Sequence, residues 1–300
     1  MCIKCISDEN VLYSRDNNLK KEDVEPLREW MLKEAHLPTI SSNFQIISFL
    51  SSCYYRIEPT KLCIENYYTF KSRYPEIFSS RSLKNESLEY QLKTCFGGTL
   101  PKLTKNGYQI FYAKLENNSP DKFCFPDIIK MVIMAVVLNN FQYGPQMGHL
   151  IVIDGAGLQL GHMVKLTPMI LKIFFYFLQE AAPIRLKQIH IINVNPITEK
   201  LLNMIKPFLK KELVDQIHCH KKLEDIFKYV EKDVLPSDYG GGVASIKELH
   251  EEQIKNIKQH EDVLIKEEEL KVDETKRKET PKHFEELFGI VGTFKKLTFD

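Results

Sequence analysis

The sequence has almost no net charge, because its 41 Lys and Arg residues oppose 40 Asp and Glu residues, giving +1. It therefore lacks the basic footprint of a general nucleic-acid-binding protein, and we expect no nucleic-acid partner. The N-terminus, MCIKCISDEN, lacks the apolar core of a secretory signal. The longest apolar runs, MVIMAVVL and IFFYFL, fall short of the ~20 residues that a spanning helix needs. These absences favour a cytoplasmic protein.

Cysteine is present but not in a pattern that carries a site. The seven cysteines are scattered and odd in number, which argues against a disulfide framework and favours reduced thiols. Cys2 and Cys5 form a C-x-x-C motif, but no second pair follows at the spacing of a zinc site. The sequence therefore predicts no metal site there.

Histidines occur near the apolar strands. His149, His162 and His190 flank them, and His218 and His220 are two residues apart. Two histidines on one side of a strand, without a third ligand, favour core histidines over metal ligands.

Nucleotide and catalytic motifs are also lacking. The stretch IVIDGAGLQLG places Gly155, Gly157 and Gly161 at G-x-G-x-x-x-G, one residue off the dinucleotide-binding spacing. About 20 residues later, where such a fold needs an acidic residue, the chain reads ILKIFFYFLQ. No G-x-x-x-x-G-K-[ST] loop and no G-x-S-x-G elbow exists. We therefore expect no cofactor, no catalytic residues and no enzyme activity.

What is there is a two-part hydrophobic pattern. Residues 19–78 carry apolar residues at helical spacing, as in EDVEPLREWMLKEAHLP. From Tyr108 onward, the short apolar stretches GYQIFYAKL, HLIVID, LKQIHIINV and DQIHCH alternate with helical stretches. The sequence thus predicts an α/β lobe with a mixed, partly parallel sheet, preceded by an all-helical N-terminal module.

The predicted division of the chain has three parts. Residues 1–80 form the helical module, 81–245 the α/β domain, and 246–300 a charged helical segment with a docked tail. The charge-dense run after Ser245 is typical of a solvated helix and linker. The last residues, HFEELFGIVGTFKKLTFD, are too apolar for a free tail, so we expect them to dock on the protein.

Two helical stretches, MVIMAVVL and ILKIFFYFL, are apolar nearly all the way round. Such a helix is either plain core or lines a cavity for an apolar ligand. Composition alone leaves both readings open.

The motifs, taken together, resemble the CRAL-TRIO (Sec14-like) family. LREWMLKEAHLPTISSNFQIISFL and NYYTFKSRYPEIF resemble its helical N-terminal module, and IVIDGAGLQLGHMVKLTP resembles its central strand, with Asp154 and Gly157 at matching positions. IHIINVNPITEKLLNMIKPFLKKEL resembles its gate-helix region, and LPSDYGG its closing motif. The C-terminal LFGIVGTFKKLTFD resembles the insect members called α-tocopherol-transfer-protein-like.

The resemblance implies an intracellular carrier of one hydrophobic molecule, such as a tocopherol, retinoid, carotenoid or other isoprenoid lipid. It implies an apolar pocket floored by the sheet and closed by an amphipathic gate helix that touches membranes transiently. It implies these pocket residues: Tyr112, Ile128, Met131, Val132, Ala135, Val136, Ile151, Ile153, Ile170, Phe174, Phe177, Leu178, Ile189, Ile191, Leu202, Ile205, Phe208 and Leu209. The gate lysines Lys200, Lys206, Lys210 and Lys211 are expected to face anionic lipid. We expect a dry pocket, a ligand with few polar groups, and a monomer.

Two alternatives stay open: a phosphatidylinositol or phospholipid transfer protein, and a scaffold of the same fold without a ligand. Members that bind phosphoinositides have a basic cleft, to which Arg185 and Lys187 correspond here. Ser51, Cys53 and Gln216 stand where further basic residues would lie. Because charge-assisted phosphate contacts need Arg or Lys, we expect phosphoinositide exchange to be weak or absent.

Overall fold

The first third of the chain is helical, as its periodicity predicts. The structure, a computed structural model, describes residues 8–40 and 42–278. Val24, Leu27 and Met31 are buried on one face of the second helix, whereas Leu32, also expected on that face, is 64% exposed. The helices before the sheet are α1 (Glu9–Arg15), α2 (Lys21–Lys33), α3 (Asn43–Ser52), α4 (Ile57–Arg73), α5 (Pro75–Phe78) and α6 (Glu86–Thr94).

A mixed sheet follows, with strands in the order β1-β2-β3-β4-β5 within the described residues. β1 pairs antiparallel with β2, and all later pairs are parallel, so the predicted mixed, partly parallel sheet is confirmed. The strands are β1 (Cys95–Thr99), β2 (Tyr108–Leu115), β3 (Gly148–Asp154), β4 (Leu186–Ile192) and β5 (Ile217–Cys219). The helices between and after them are α7 (Phe125–Tyr143), α8 (Leu160–Val164), α9 (Pro168–Glu180), α10 (Pro196–Ile205), α11 (Lys211–Val214), α12 (Ile246–Gln259) and α13 (Glu261–Glu269). Short 3₁₀ helices occupy Pro120–Lys122, Lys206–Phe208, Leu223–Lys228, Lys232–Val234, Ser237–Tyr239 and Glu274–Lys276.

The two faces of the sheet pack against different layers. One face, with α7, α9 and the helical module, forms the largest apolar cluster. The other face packs against the 3₁₀ turns of residues 223–239 and the start of α12. Among the described helices, α7 alone is long and apolar enough to cross a membrane, and 61% of it is buried inside the protein. Burial of that extent is what a core helix shows.

The predicted single helix NPITEKLLNMIKPFLKKEL is interrupted. α10 ends at Ile205, a 3₁₀ turn follows, Leu209 is extended, and α11 then begins at Lys211. Pro207 is the cause, because proline lacks an amide donor and its ring clashes with the carbonyl four residues earlier. The break separates α10 from the short helix α11.

The charged segment after Ser245 is not a solvated linker, contrary to the expectation from composition. His250 and Ile257 of α12 are buried, and the His250 ring stacks on Phe96 at 4.4 Å. Glu267 of α13 is buried and joins Lys71 and Arg81 of the N-terminal region. The predicted docking of the C-terminal tail, like the Cys2–Cys5 motif, lies outside the described residues.

Candidate functional site

The central strands form an apolar floor on one face of the sheet, and this floor is largely buried except near the carboxyl end of β3. Phe111, Ile151 and Ile189 are register partners on β2, β3 and β4, and so share one face. Two residues along β3, on the same face, Ile153 is 37% exposed although strands pair with it on both sides. Because Ile153 is the penultimate residue of β3, its exposure means that protein side chains leave the carboxyl end of this strand partly uncovered. This face is therefore suited to contact an apolar molecule.

Helix α10 lies over this floor with its apolar side inward. Leu202 is buried in one cluster with Ile189 and Ile191, and Ile205 and Leu209 pack against the same cluster. Lys200, Lys206 and the other two predicted gate lysines, Lys210 and Lys211, are all exposed. The helix is thus amphipathic in the sense predicted, with apolar side chains toward the sheet and lysines toward solvent.

Side-chain hydrogen bonds hold the segment that contains α10 at its N-cap and a few residues beyond its C-terminus. The Asn195 amide caps its N-terminus, and its Nδ2 donates to the Gly155 and Leu158 carbonyls at 3.1 and 3.2 Å. At the other end, Gln179 of α9 donates to the Phe208 carbonyl at 3.1 Å and accepts from the Lys210 amide at 2.7 Å. Between these two anchors the helix is held by apolar packing alone, as far as the described contacts show.

The opposite wall comes from α7 and α9. Ala135 and Val136 of α7 belong to the largest cluster, against which the half-buried Ile170 and Phe174 of α9 pack. Leu178 is buried in the same cluster, Phe208 packs against it, and Val132 is half-buried. That these residues and those of the floor and α10 line one pocket stays a prediction.

Four predicted pocket residues lie elsewhere, which corrects the predicted grouping. Tyr112 is the register partner of Val152, and both belong to the cluster on the opposite face of the sheet. Phe177 points into the helical module, where its ring lies 4.7 Å from that of Phe78. The other two, on α7, pack with α6, α12 and α13; they are Ile128 and Met131.

Phe111 is a floor residue that the sequence analysis missed. It is next to Tyr112, and side chains alternate across a strand, so choosing the wrong parity for β2 selects the wrong residue. Phe111 is identified by its register pairing with Ile151. This pairing is visible only once β2 and β3 are aligned in the folded sheet.

Asp154 ends the central strand and joins three sequence motifs. Its Oδ2 accepts from the Tyr239 hydroxyl at 2.8 Å, and its Oδ1 accepts from Asn193 Nδ2 at 2.8 Å and the Ala156 amide at 2.9 Å. Gly157 has φ +77°, a left-handed conformation that favours glycine. The glycine-rich stretch is therefore a turn that anchors β3 and α10.

A polar cleft of about 780 Å³ opens at the amino ends of β2 and β4. Arg185 and Lys187, both predicted, line it, and so does Gln216. Five further lining residues were not predicted for this cleft: Tyr54, Tyr108, Lys210, Lys228 and Tyr229. The cleft therefore has four cationic side chains rather than the two predicted, together with the acidic Glu212.

Arg185 connects this cleft to the helical module. Its Nε donates to the Ser51 carbonyl at 2.6 Å, and its guanidinium lies 4.6 Å from the Tyr54 ring centroid. Lys187 donates to the Tyr54 hydroxyl at 2.7 Å. Tyr54 and Tyr55 both have positive φ, an uncommon conformation for a bulky residue. Arg185 Nη2 is buried without a described hydrogen-bond partner.

Three histidines meet on the face of the sheet away from α10. The His190 ring stacks on those of His218 and His220 at 5.2 and 5.3 Å, and its Nδ1 lies 3.0 Å from His220 Nε2. Burial, followed by these two neighbours, lowers the pKa of His190 to about 3. Burial is also the main cause that lowers the pKa of His149 to about 4. In residues 8–40 and 42–278, no group of side chains is arranged to hold a metal ion.

Known proteins are similar to this chain over most of its length. Residues 93–241 match the CRAL/TRIO domain, and residues 16–88 match the "Pinta-like, UBA domain". The chain is 26% identical over 222 residues to the "Alpha-tocopherol transfer protein-like" protein of Mus musculus, covering 73% of this chain and 64% of that protein. It is 23% identical over 226 residues to "Clavesin-2" of Rattus norvegicus, covering 73% of this chain and 68% of that protein.

The matched region thus spans slightly less than two thirds of the tocopherol-transfer-like relative. Among solved structures, "Crystal structure of Sfh5" is similar with a TM-score of 0.43 and 13% identity, covering 74% of this chain and 88% of that one. The matched domain includes the whole sheet and the glycine-rich turn, and it ends two residues after Tyr239. Residues 93–241, which include the whole sheet, are therefore a CRAL/TRIO domain.

Proposed function

We propose that this protein binds a small hydrophobic lipid between the sheet and helices α7, α9 and α10, and transfers it between membranes. The observation that carries the proposal is the exposure of Ile153 near the carboxyl end of the central strand, beside the cluster that α10 covers. Each 100 Å² of apolar ligand surface buried there contributes about 2.5 kcal/mol. The relatives named for α-tocopherol transfer support an isoprenoid lipid such as a tocopherol, retinoid or carotenoid.

Helix α10 is the proposed gate. Its two ends are held by hydrogen bonds from Asn195 and Gln179, whereas its middle is held by Leu202, Ile205 and their apolar neighbours. An entering ligand would replace the apolar contacts of α10 with the sheet by apolar contacts with the ligand. Opening therefore breaks no buried hydrogen bond in the middle of the helix. The end anchors then act as hinges.

An exposed apolar patch beside the gate supports membrane contact. Leu160 is 56% exposed, Val164 is 79% exposed and Met169 is 37% exposed. This patch lies after the turn whose Leu158 carbonyl binds Asn195 of α10. Apolar residues next to exposed lysines are what an interfacial membrane site requires. We propose that this surface touches the bilayer while the gate opens.

A second candidate function is the binding of an anionic phospholipid headgroup. The observation that favours it is the cleft lined by Arg185, Lys187, Lys210 and Lys228. The cleft has two cations more than the sequence indicated, but these two are paired, Lys210 with Glu180 and Lys228 with Asp225. Glu212 also lines the cleft, and the Tyr54 ring lies against Arg185 and Lys187. A ligand-free scaffold of the same fold is the remaining alternative.

Extraction of the purified full chain with organic solvent, followed by mass spectrometry, tests the proposal. We expect one apolar lipid at close to one molecule per chain. Recovery of a phospholipid would favour the second candidate, and so would saturable binding to vesicles containing phosphatidylinositol bisphosphate that Lys187→Ala abolishes. A chain that yields no lipid, and that takes up neither isoprenoids nor phospholipids from vesicles, would favour the scaffold.

A further inference from the structure

The apolar floor has a histidine at its buried end. His149 is two residues before Ile151 and four before Ile153 on β3, so it lies on the same face of the sheet. Its ring stacks on that of Phe111, the floor residue of β2, with the ring centres 5.5 Å apart and the planes 17° apart. His149 is only 1% exposed. The floor is therefore apolar toward the carboxyl end of β3 and polar at its amino end.

The two nitrogens of the His149 ring have different surroundings. The Arg185 amide donates to Nδ1 at 3.2 Å, so Nδ1 is the acceptor and Nε2 carries the proton of the neutral ring. Burial lowers the pKa of His149 to about 4, which keeps the ring neutral at pH 7. Nε2 is buried, and no group in the described part of the chain accepts its hydrogen. A buried donor of this kind is costly unless another molecule accepts from it.

The direction of Nε2 follows from these contacts. Nδ1 is next to the ring carbon that joins the side chain, and it meets a backbone amide at the level of the sheet. Nε2 is on the outer edge of the ring. Because the ring stands beside Phe111 on the floor face, that edge is directed toward the helices whose side chains cluster with Phe111. The Nε2 hydrogen can therefore reach an oxygen atom of a molecule that lies on the floor.

A second buried polar side chain approaches this end of the floor from α7. Asn139 is 2% exposed, and neither atom of its amide has a partner among the described residues. The next residue, Asn140, donates to the Pro183 carbonyl at 3.1 Å. Pro183 is two residues before Arg185, whose amide donates to His149. The same short segment thus contacts both the end of α7 and the histidine of the floor.

We propose that His149 Nε2 donates a hydrogen bond to an oxygen atom at one end of the bound lipid, and that this bond selects lipid alcohols over hydrocarbons of the same skeleton. The inference rests on the proposed function, because it orients a lipid that lies on the floor. His149 and Ile153 are four residues apart, which is about 13 Å along a strand. The oxygen then lies at the amino end of β3, and the hydrocarbon extends to the partly uncovered carboxyl end. A tocopherol, a retinol or a hydroxylated carotenoid has such an oxygen, whereas a carotene has none.

The test measures which member of a matched pair the full chain retains. The protein is incubated with vesicles that hold equal amounts of α-tocopherol and its 6-deoxy analogue, of retinol and its deoxy hydrocarbon, or of zeaxanthin and β-carotene. The bound lipid is then extracted and quantified by mass spectrometry. We expect wild type to retain at least about five times more of the alcohol in one or more pairs, because the hydrocarbon leaves the buried donor unpaired. His149→Phe keeps an aromatic ring beside Phe111 but has no donor, and its ratio should fall below about two.

His250→Phe is the matched control. His250 is also buried and stacks on Phe96, but its Nε2 lies 2.6 Å from the Leu92 carbonyl, so the ring has a protein partner. We expect this variant to keep the wild-type ratio. A second readout needs no variant: in wild type, the nuclear magnetic resonance signal of His149 Nε2 should shift on loading with the retained alcohol and stay unchanged with its hydrocarbon partner.

The outcomes separate this inference from the function on which it rests. Equal retention of both members of every pair by wild type, or a wild-type ratio in His149→Phe, would overturn the inference and leave lipid binding intact. An unchanged His149 Nε2 signal on loading with the alcohol would overturn it as well. If wild type retained neither member of any pair, the proposed isoprenoid carrier and this inference would both be wrong.

Discussion

Replacing Glu267 by glutamine should destabilise the protein, because it breaks the ion pairs that join α13 to the helical N-terminal region. Glu267 Oε1 lies 2.5 Å from Lys71 Nζ and 2.7 Å from the Tyr67 hydroxyl, and Oε2 lies 2.5 Å from Arg81 Nη2. All three charged side chains are buried. Although burial raises the pKa of Glu267, Arg81 and Lys71 lower it from 4.5 to about 2. This difference corresponds to about 3 kcal/mol of stability at neutral pH.

Glu267→Gln also leaves the buried Lys71 without its counter-charge and leaves Arg81 with only Glu268, whose Oε2 lies 3.5 Å from its Nε. Breaking a buried pair typically costs about 3–5 kcal/mol. We therefore expect the free energy of unfolding to fall by about 3 kcal/mol at pH 7, measured by urea titration of the fluorescence of the sole tryptophan, Trp30. Because a lowered carboxyl pKa contributes above 4.5 and is lost toward 2, the difference from wild type should narrow over that range. Glu269→Gln, exposed on the same helix, should change stability by less than about 0.5 kcal/mol. A loss below 1 kcal/mol for Glu267→Gln would refute the reasoning.

Three further predictions follow from other parts of the structure. Val164→Asp should slow lipid transfer between vesicles several-fold without lowering the urea midpoint of unfolding, because Val164 is 79% exposed beside the proposed gate. Equal transfer rates in the variant and the wild type would show that Val164 does not contact the membrane. Burial keeps His149 neutral in the folded protein, so the stability that its neutral form contributes should be lost as the pH falls from 6.5 toward 4. His149→Gln should therefore make the free energy of unfolding less dependent on pH over this range, and an unchanged slope would contradict this. Asn139 is buried with neither amide atom bonded in the described structure, so Asn139→Leu should raise the melting temperature, and a lower one would show that its amide has a partner.

The helices and strands were predictable from the sequence where the hydrophobic pattern of a single segment specifies its secondary structure. The helices of the N-terminal module and the four strands from Tyr108 onward follow from periodicity, and the glycine-rich turn follows from its residues. β1 was not predicted, because its sequence, CFGGT, has neither alternation nor a β-branched run. Its hydrogen bonds to β2, rather than its own residues, make it a strand.

The site was predictable only in part, because it depends on pairing between distant segments. The choice of Tyr112 over Phe111 needed the register of β2 against β3. Glu267 looked like any other acid in a charged run, since its partners lie 196 and 186 residues away in the chain. Phe177 lies on an apolar helix, but which side of that helix meets the helical module is decided by packing.

The central claim is that the sheet face around Ile153 holds a lipid. Full-length wild type, Ile153→Trp and Leu32→Trp should be incubated with vesicles that contain α-tocopherol, retinol and phosphatidylcholine, and then analysed by native mass spectrometry. Leu32 is 64% exposed on the helical module and controls for the added indole. The account predicts one bound lipid in wild type and Leu32→Trp, and at least a tenfold lower occupancy in Ile153→Trp. Equal occupancy in all three proteins, or no bound lipid in wild type, would contradict it.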